Sequence, residues 1–242
     1  MHNFSWYPGH IKAAEDELKK KWLPLIDLVI EVVDARVPIS GVYPKRELWG
    51  CKPIINVFTK KDLTDLKITL SLIDKSCLVI DARLPHQWRK KLFELIKIIG
   101  KETKQKLQMQ GRKRNLRIGI CGLPNVGKST FLNSLANVGK KAKTGDKPGV
   151  TRQMQFIQSQ EFDLLDTPGI MPHSLEEEIS YKLALCGLLP EKLFDKEILL
   201  DYLLEKCPQI KTADHPEQSA EFLIKRFQEG KLGKTCLDYI VS

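Results

Sequence analysis

Apolar positions along this chain fall into short β-branched runs, separated by stretches in which hydrophobic residues recur every three to four positions. Residues 11–22 alternate charged and apolar side chains at helical spacing, and Asp27-Leu-Val-Ile-Glu-Val-Val-Asp34 reads as a buried strand ending in a turn. The alternation then repeats. Strands are predicted at 53–58, 76–81 and 116–121, helices at 86–99 and 127–137, and two further strands near 154–158 and 162–166. Strands alternating with helices predict an α/β fold with a doubly wound, mostly parallel sheet covered on both faces. Beyond Pro172 helical patterns dominate, at 176–188, 195–206 and 216–230, and only 236–241 looks like a strand. This divides the chain into a first domain over 1–174 and a small, largely helical C-terminal domain over 175–242. No internal repeat or low-complexity segment stands out.

Residues 100–117 break the pattern: they are polar and basic, with Lys101, Lys104, Lys106, Arg112, Lys113, Arg114 and Arg117. They read as a solvated linker or as a strip that contacts phosphates. The 242 residues are 42% hydrophobic and 29% charged, enough for one domain of ordinary size and a smaller appendage. A formal net charge of +9 favours an acidic polymer as partner, nucleic acid before anionic membrane, although a basic solvated surface explains the charge equally well. Six scattered cysteines without a CxxC pair suggest reduced thiols in a cytosol-like compartment. No apolar run approaches the roughly 20 residues needed to cross a bilayer. Glu15, Asp16 and Glu17 stand where a signal or transit peptide would avoid acids, so a soluble chain without membrane association is expected.

The chemistry lies in five short motifs. Gly122-Leu-Pro-Asn-Val-Gly-Lys-Ser129 follows the apolar strand 116–121 and opens a helix, the context in which backbone N–H groups and a helix N-terminus surround phosphates. Lys128 should reach the β- and γ-phosphates and Ser129 should ligate magnesium, with Val126, Gly127 and Thr130 completing the loop. Asp166-Thr167-Pro168-Gly169 follows the last strand; Asp166 would serve the magnesium ion, and Pro168 and the Gly169 amide would meet the γ-phosphate. Thr151, in Gly149-Val150-Thr151, is either a switch threonine on the metal or an ordinary loop threonine. Thr59-Lys60-Lys61-Asp62 is a guanine reader: Asp62 can accept from N1–H and N2–H2, and Lys60 packs along the base. Such a carboxylate rejects adenine by factors on the order of 10⁴. Asp81-Ala82-Arg83 fits the loop whose alanine amide meets guanine O6.

The order of these motifs is unusual, because the base reader precedes the phosphate loop. A doubly wound sheet gathers its loops at the carboxyl ends of its strands, so a circularly permuted P-loop GTPase can keep its site intact.

Together with Trp6-Tyr-Pro-Gly-His10, Asp34-Ala-Arg-Val-Pro38 and Pro148-Gly-Val-Thr151, these words resemble the YlqF/RbgA family of circularly permuted GTPases that act in assembly of the large ribosomal subunit. The likeness covers nearly the whole chain and is less specific in the C-terminal part. It implies a magnesium-dependent GTPase that binds GTP and GDP and docks on a large-subunit precursor and its rRNA, as a monomer, in bacterial cytoplasm or an organellar matrix. It further implies that Asn125 helps hold potassium, or else serves only loop conformation, and that His10 is a catalytic candidate, or else a structural residue of the Pro8-Gly9 turn. Ile170 stands where many small GTPases carry a water-orienting glutamine. Thr59 replaces the usual asparagine, so a weaker brace on the base pocket is expected. A GTP-gated RNA-binding or scaffold protein with negligible turnover remains an alternative, as does a GTPase acting on tRNA or membranes.

Overall fold

The structure is a computed structural model. It describes residues 3–5, 13, 15–112, 114–136, 156–158, 162–166, 172, 174–190, 193–208, 210 and 219–239. In chain order the strands are β1 (Asn3–Ser5), β2 (Leu28–Asp34), β3 (Ile54–Thr59), β4 (Leu78–Val79), β5 (Leu116–Cys121), β6 (Phe156–Gln158), β7 (Phe162–Asp166) and β8 (Ser174–Glu176). The helices are α1 (Leu66–Leu72), α2 (Pro85–Ile99), α3 (Lys101–Met109), α4 (Lys128–Ala136), α5 (Glu177–Leu185), α6 (Lys196–Lys206) and α7 (Ala220–Gln228).

Six strands form one sheet in the order β4-β3-β2-β5-β7-β6, parallel except for β6 at the edge. Every residue of β2 is buried, as a central strand covered on both faces requires. Leu28, Ile30 and Val32 join the main core with Ile118, Ile120 and Leu92; Val29 packs with Trp22, Ile26 and Trp49 in a second cluster. From the adjacent strands β2 and β5 the chain proceeds outward in opposite directions, to β3 and β4 on one side and β7 and β6 on the other. The crevice for ligands therefore lies above the carboxyl ends of β2 and β5.

Several expectations need correction. The helix expected over 11–22 passes at Leu18–Trp22 into a π-turn and then a 3-10 turn carrying Pro24, which lacks the N–H an α-helix needs there. The strand expected over 76–81 shrinks to two residues, since only Leu78 and Val79 find ladder partners in β3. Residues 100–117 connect α2 to β5 but are not all irregular: a separate helix, α3, begins directly after Gly100, whose carbonyl accepts from Lys104 N at 2.9 Å. The segment at 236–239 is turn and coil rather than strand. Its backbone bonds go singly to the first domain, Thr235 N to Leu63 O and Leu237 N to Arg36 O, so no ladder forms. Residues 240 and 241 of that expected strand lie outside the described residues.

The C-terminal helices bury Leu183, Leu199, Leu203, Ile224 and Phe227 in the same cluster as Val37, Leu123 and Val126 beneath the sheet's crevice. β8 pairs antiparallel with β1, with Phe4 opposite Leu175. All six cysteines are free thiols. Among the described residues no helix is long and apolar enough to cross a membrane.

Candidate functional site

At the end of β5 the chain turns sharply at Gly122, whose φ is +144°, and a Cβ there would lie 2.2 Å from Val32 O. Only glycine fits a backbone pressed this closely against a neighbouring strand. Gly127, at φ +93°, opens the turn into α4. Lys128 Nζ folds back over the loop, donating to Gly122 O at 2.9 Å and Leu123 O at 2.8 Å. Ser129 and Thr130 stand exposed at the first turn of α4. A lysine over the loop, a helix N-terminus and an exposed hydroxyl together make an anion site with a hard oxygen donor beside it.

Asn125 occupies the left-handed region at φ +58°, which asparagine tolerates, and its Nδ2 donates to Gly187 O at 2.9 Å. This links the phosphate loop to the turn after α5. The loop is also joined to β3. Thr59 Oγ1 donates toward Val126 O and lies 3.1 Å from Val33 O. Threonine thus supplies a bracing bond where asparagine is usual, and the base-reading and phosphate-binding loops are held together. One hydroxyl proton can serve only one of the two carbonyls at a time.

Lys60 also lies in the left-handed region, at φ +57°, a conformation costly for a long side chain and concentrated at functional sites. Its Nζ pairs with Asp34 Oδ2 at 2.9 Å. Asp62, the carboxylate predicted to read the base, accepts from Arg83 Nη2 at 2.8 Å. Arg83 grips Asp81 as well, at 2.8 Å through Nε and 2.7 Å through Nη2. That hydrogen bond holds the Asp81 carboxyl below its usual range. Ala82 is buried, and its carbonyl accepts from Ser134 Oγ at 2.6 Å, fixing the loop against α4. The predicted base readers Thr59, Lys60, Asp62, Asp81, Ala82 and Arg83 therefore share one edge of the crevice.

Ile120 pairs with Asp166, so the backbone of β7 brings Asp166 beside the phosphate-loop strand. His10, Thr151, Thr167, Pro168, Gly169, Ile170 and the side chain of Asp166 lie outside the described residues.

One constellation gains its meaning only in three dimensions. Asp34, at the end of β2, is fully buried and takes two bonds from Arg36, Nε to Oδ1 at 3.0 Å and Nη2 to Oδ2 at 2.8 Å. Burial pushes the Asp34 carboxyl up, but Arg36 and Lys60 outweigh it and leave it well below the usual carboxylate range. Arg36 Nη2 also donates to Cys186 O at 3.0 Å, and the guanidinium lies over Phe227 at 5.8 Å. Asp238 of the tail accepts from the backbone of Ile39 at 2.7 Å and of Ser40 at 2.9 Å. The C-terminal unit is thereby pinned to the strand end that carries Lys60's partner. The pattern Asp34-Ala-Arg-Val-Pro38 is the only local sign of this in the sequence.

A doubly wound sheet with a phosphate loop after β5, beside the edge of β3 and β4 that carries the predicted base readers, is the architecture of a P-loop GTP-binding protein. The base reader precedes the phosphate loop in the chain. Residues 117–213 match the family of 50S ribosome-binding GTPases. The chain is 38% identical over 224 residues to ribosome biogenesis GTPase A of Priestia megaterium, covering 88% of this chain and 75% of that one. It is 36% identical over 221 residues to mitochondrial ribosome-associated GTPase 1 of Mus musculus, covering 82% of this chain and 65% of that one. The fold is that of GNP-bound YlqF from T. maritima, with a TM-score of 0.64 at 22% identity over 94% of this chain and all of the other. The chain belongs to the ribosome biogenesis GTPase A (RbgA/YlqF) family.

Proposed function

We propose that this protein hydrolyses GTP to GDP and phosphate as an assembly factor for the large ribosomal subunit, its nucleotide state governing its docking on a precursor particle and the rRNA within. The observation that carries the reading is the joining of the two nucleotide loops through Thr59 and the Val126 carbonyl, which makes one site of motifs far apart in the chain.

Catalysis here is mainly electrostatic positioning. Lys128 neutralises charge on the β- and γ-phosphates. Ser129, Asp166 and Thr151 would hold magnesium with hydroxyl and carboxylate oxygens, a donor set that suits that ion, and magnesium when bound would neutralise phosphate charge. Asn125 contributes an amide oxygen toward potassium. The Gly169 amide and Pro168 meet the γ-phosphate end, and Asp62, with the Ala82 amide, selects guanine. His10 acts on the attacking water once the particle is engaged, because Ile170 cannot orient it. The helical unit over 175–242 follows nucleotide state through its contacts with Asn125 and Arg36 and carries the preference for the particle. Relatives in bacteria and in mitochondria leave both bacterial cytoplasm and organellar matrix as settings.

The test is GTP turnover by the full chain with and without purified large subunits. Turnover alone should be slow, about 10⁻⁴ to 10⁻² per second, and should rise at least roughly tenfold with subunits, which is about 1.4 kcal/mol of barrier. His10→Ala should lose that rise while keeping GTP affinity. Absence of stimulation in the parent overturns the ribosomal reading, and turnover that stays negligible in both conditions reduces the protein to a GTP-gated binder.

A further inference from the structure

The positive charge of this chain is not where its helical C-terminal unit is. Residues 175–242 carry nine Lys and Arg against thirteen Asp and Glu, a net −4, although the whole chain is +9. The described lysines of α5 and α6 are also spent internally, Lys182 on Glu178, Lys196 on Glu221 and Lys206 on Glu178 and Glu205. Residues 85–112, which form α2 and α3, carry eight Lys and Arg against Glu94 and Glu102, a net +6. Among the described residues Lys90, Lys91, Lys101, Lys104 and Lys106 make no ion pair, and all are exposed.

These charges line a feature with a shape. Arg89, Lys90, Phe93 and Lys97 line a groove of about 630 Å³ on α2. It continues across Lys97, Lys101 and Lys104 into a second cavity of about 480 Å³, floored by Leu116 and Phe162. The groove runs from α2 across the turn at Gly100 onto α3, which follows directly after it. Lys101 and Lys104 stand three apart on α3, a spacing at which like charges repel on a helix. That repulsion is a standing cost unless an anion relieves it. The aromatic floor does not offer itself for stacking: Phe93 is half-buried, edge-on to Phe162 at 4.9 Å and covered by Arg89 at 5.3 Å. A long row of cations, with Lys90, Lys101 and Lys104 exposed along it, and no stacking platform, suits phosphates rather than bases.

We propose that the α2–α3 groove is a docking surface for the phosphodiester backbone of folded, double-stranded RNA, and that it supplies the electrostatic part of binding which the net-acidic C-terminal unit cannot. The proposal rests on the ribosomal reading above and adds where the RNA lies. It separates two roles: the groove gives affinity independent of sequence, and the unit over 175–242 gives dependence on nucleotide state.

The experiment uses the full chain and a double-stranded RNA hairpin, with binding measured across a salt series. Lys90→Gln, Lys101→Gln and Lys104→Gln combined should weaken hairpin binding at least tenfold. The combined variant should also flatten the logarithmic salt dependence by about two to three, since each phosphate contact contributes roughly 0.9. GTP affinity and melting temperature should stay at the parent's values. The matched triple Lys225→Gln, Lys231→Gln, Lys234→Gln removes the same charge from the C-terminal unit and should change hairpin binding less than twofold. Equal weakening by both triples, or none by the first, overturns the proposal. So does a parent that binds phosphatidylserine vesicles through these lysines and ignores the hairpin. Co-sedimentation with large subunits keeps the two readings apart. A parent that binds the hairpin through the groove but fails to pellet with subunits sinks the ribosomal reading and supports the groove.

Discussion

The side-chain amide of Asn125 donates to the carbonyl of Gly187 at 2.9 Å, so the phosphate loop touches the turn that ends α5. Asparagine has a donor half and an acceptor half. The donor half serves the C-terminal unit, and a monovalent cation needs only the oxygen. Asn125→Ala removes both functions and Asn125→Asp removes the donor while keeping oxygen. Exchanging sodium for potassium should therefore accelerate hydrolysis by the parent. Asn125→Ala should lose most of that increment, and Asn125→Asp should keep more of it. Equal parental rates in the two salts would leave Asn125 with the Gly187 contact alone.

Asp62, proposed to set base choice, is engaged in this structure by Arg83 at 2.8 Å. Guanine must share or displace that partner. Asp62→Asn should weaken GTP binding sharply and shift preference toward xanthine nucleotide, because an amide no longer accepts from both N1–H and N2–H2. Arg83 is largely exposed, so its pair with Asp62 is worth about 0.2–1 kcal/mol. Arg83→Ala should tighten GTP binding, by no more than about fivefold. Titration with GTP and with xanthosine triphosphate reads both outcomes, and unchanged GTP affinity in Asp62→Asn would remove it from the base site.

Thr59 holds the phosphate loop through the Val126 carbonyl from a position that is 1% exposed. Thr59→Val keeps the shape and removes the hydroxyl, leaving a buried carbonyl without its donor at a cost of about 1–3 kcal/mol. Thr59→Asn restores a donor and should recover most of the loss. Melting temperature and GTP affinity should fall together in the valine variant. A fall in stability with GTP affinity unchanged would show that the brace is structural only.

What the sequence discloses and what it hides divide along range. β2, β3 and β5 are legible because burial on both faces demands continuous apolar runs, and the phosphate loop is legible because glycine must stand where Val32 O would strike a Cβ. Gly100 is legible as the end of α2, but the helix that starts directly after it is hidden by the polar run 101–109. The tail misleads, since Cys236 and Leu237 look like a strand but are buried as a plug beside Arg36 and Thr64. Arg36 is the least legible residue. It bonds to the carbonyls of Cys186 and Gln228, 150 and 192 positions away, and no local periodicity encodes such partners.

Those distant bonds make Arg36 the residue through which stability and architecture are joined. Arg36 and Asp34 are 1% and 0% exposed, and removing one partner of such a pair costs about 3–5 kcal/mol because the other charge is left buried. Arg36→Met should therefore lower the melting temperature by about 10 °C, at 2–4 °C per kcal/mol for a chain of this size. The double variant Asp34→Leu, Arg36→Met should lose less than either single change, since it strands no fully buried charge and leaves only the partly exposed Lys60 without its carboxylate. The pH dependence has a definite sign. The Asp34 carboxyl is depressed in the folded protein, so its stabilisation is complete above the unfolded carboxylate value of about 3.9 and is lost as pH falls below it. The gap in melting temperature between the parent and the double variant should thus stay constant from about pH 5 to pH 8 and narrow below about pH 4. A gap that changes near neutrality would mean that another group, and not this buried pair, holds the C-terminal unit against the strand end.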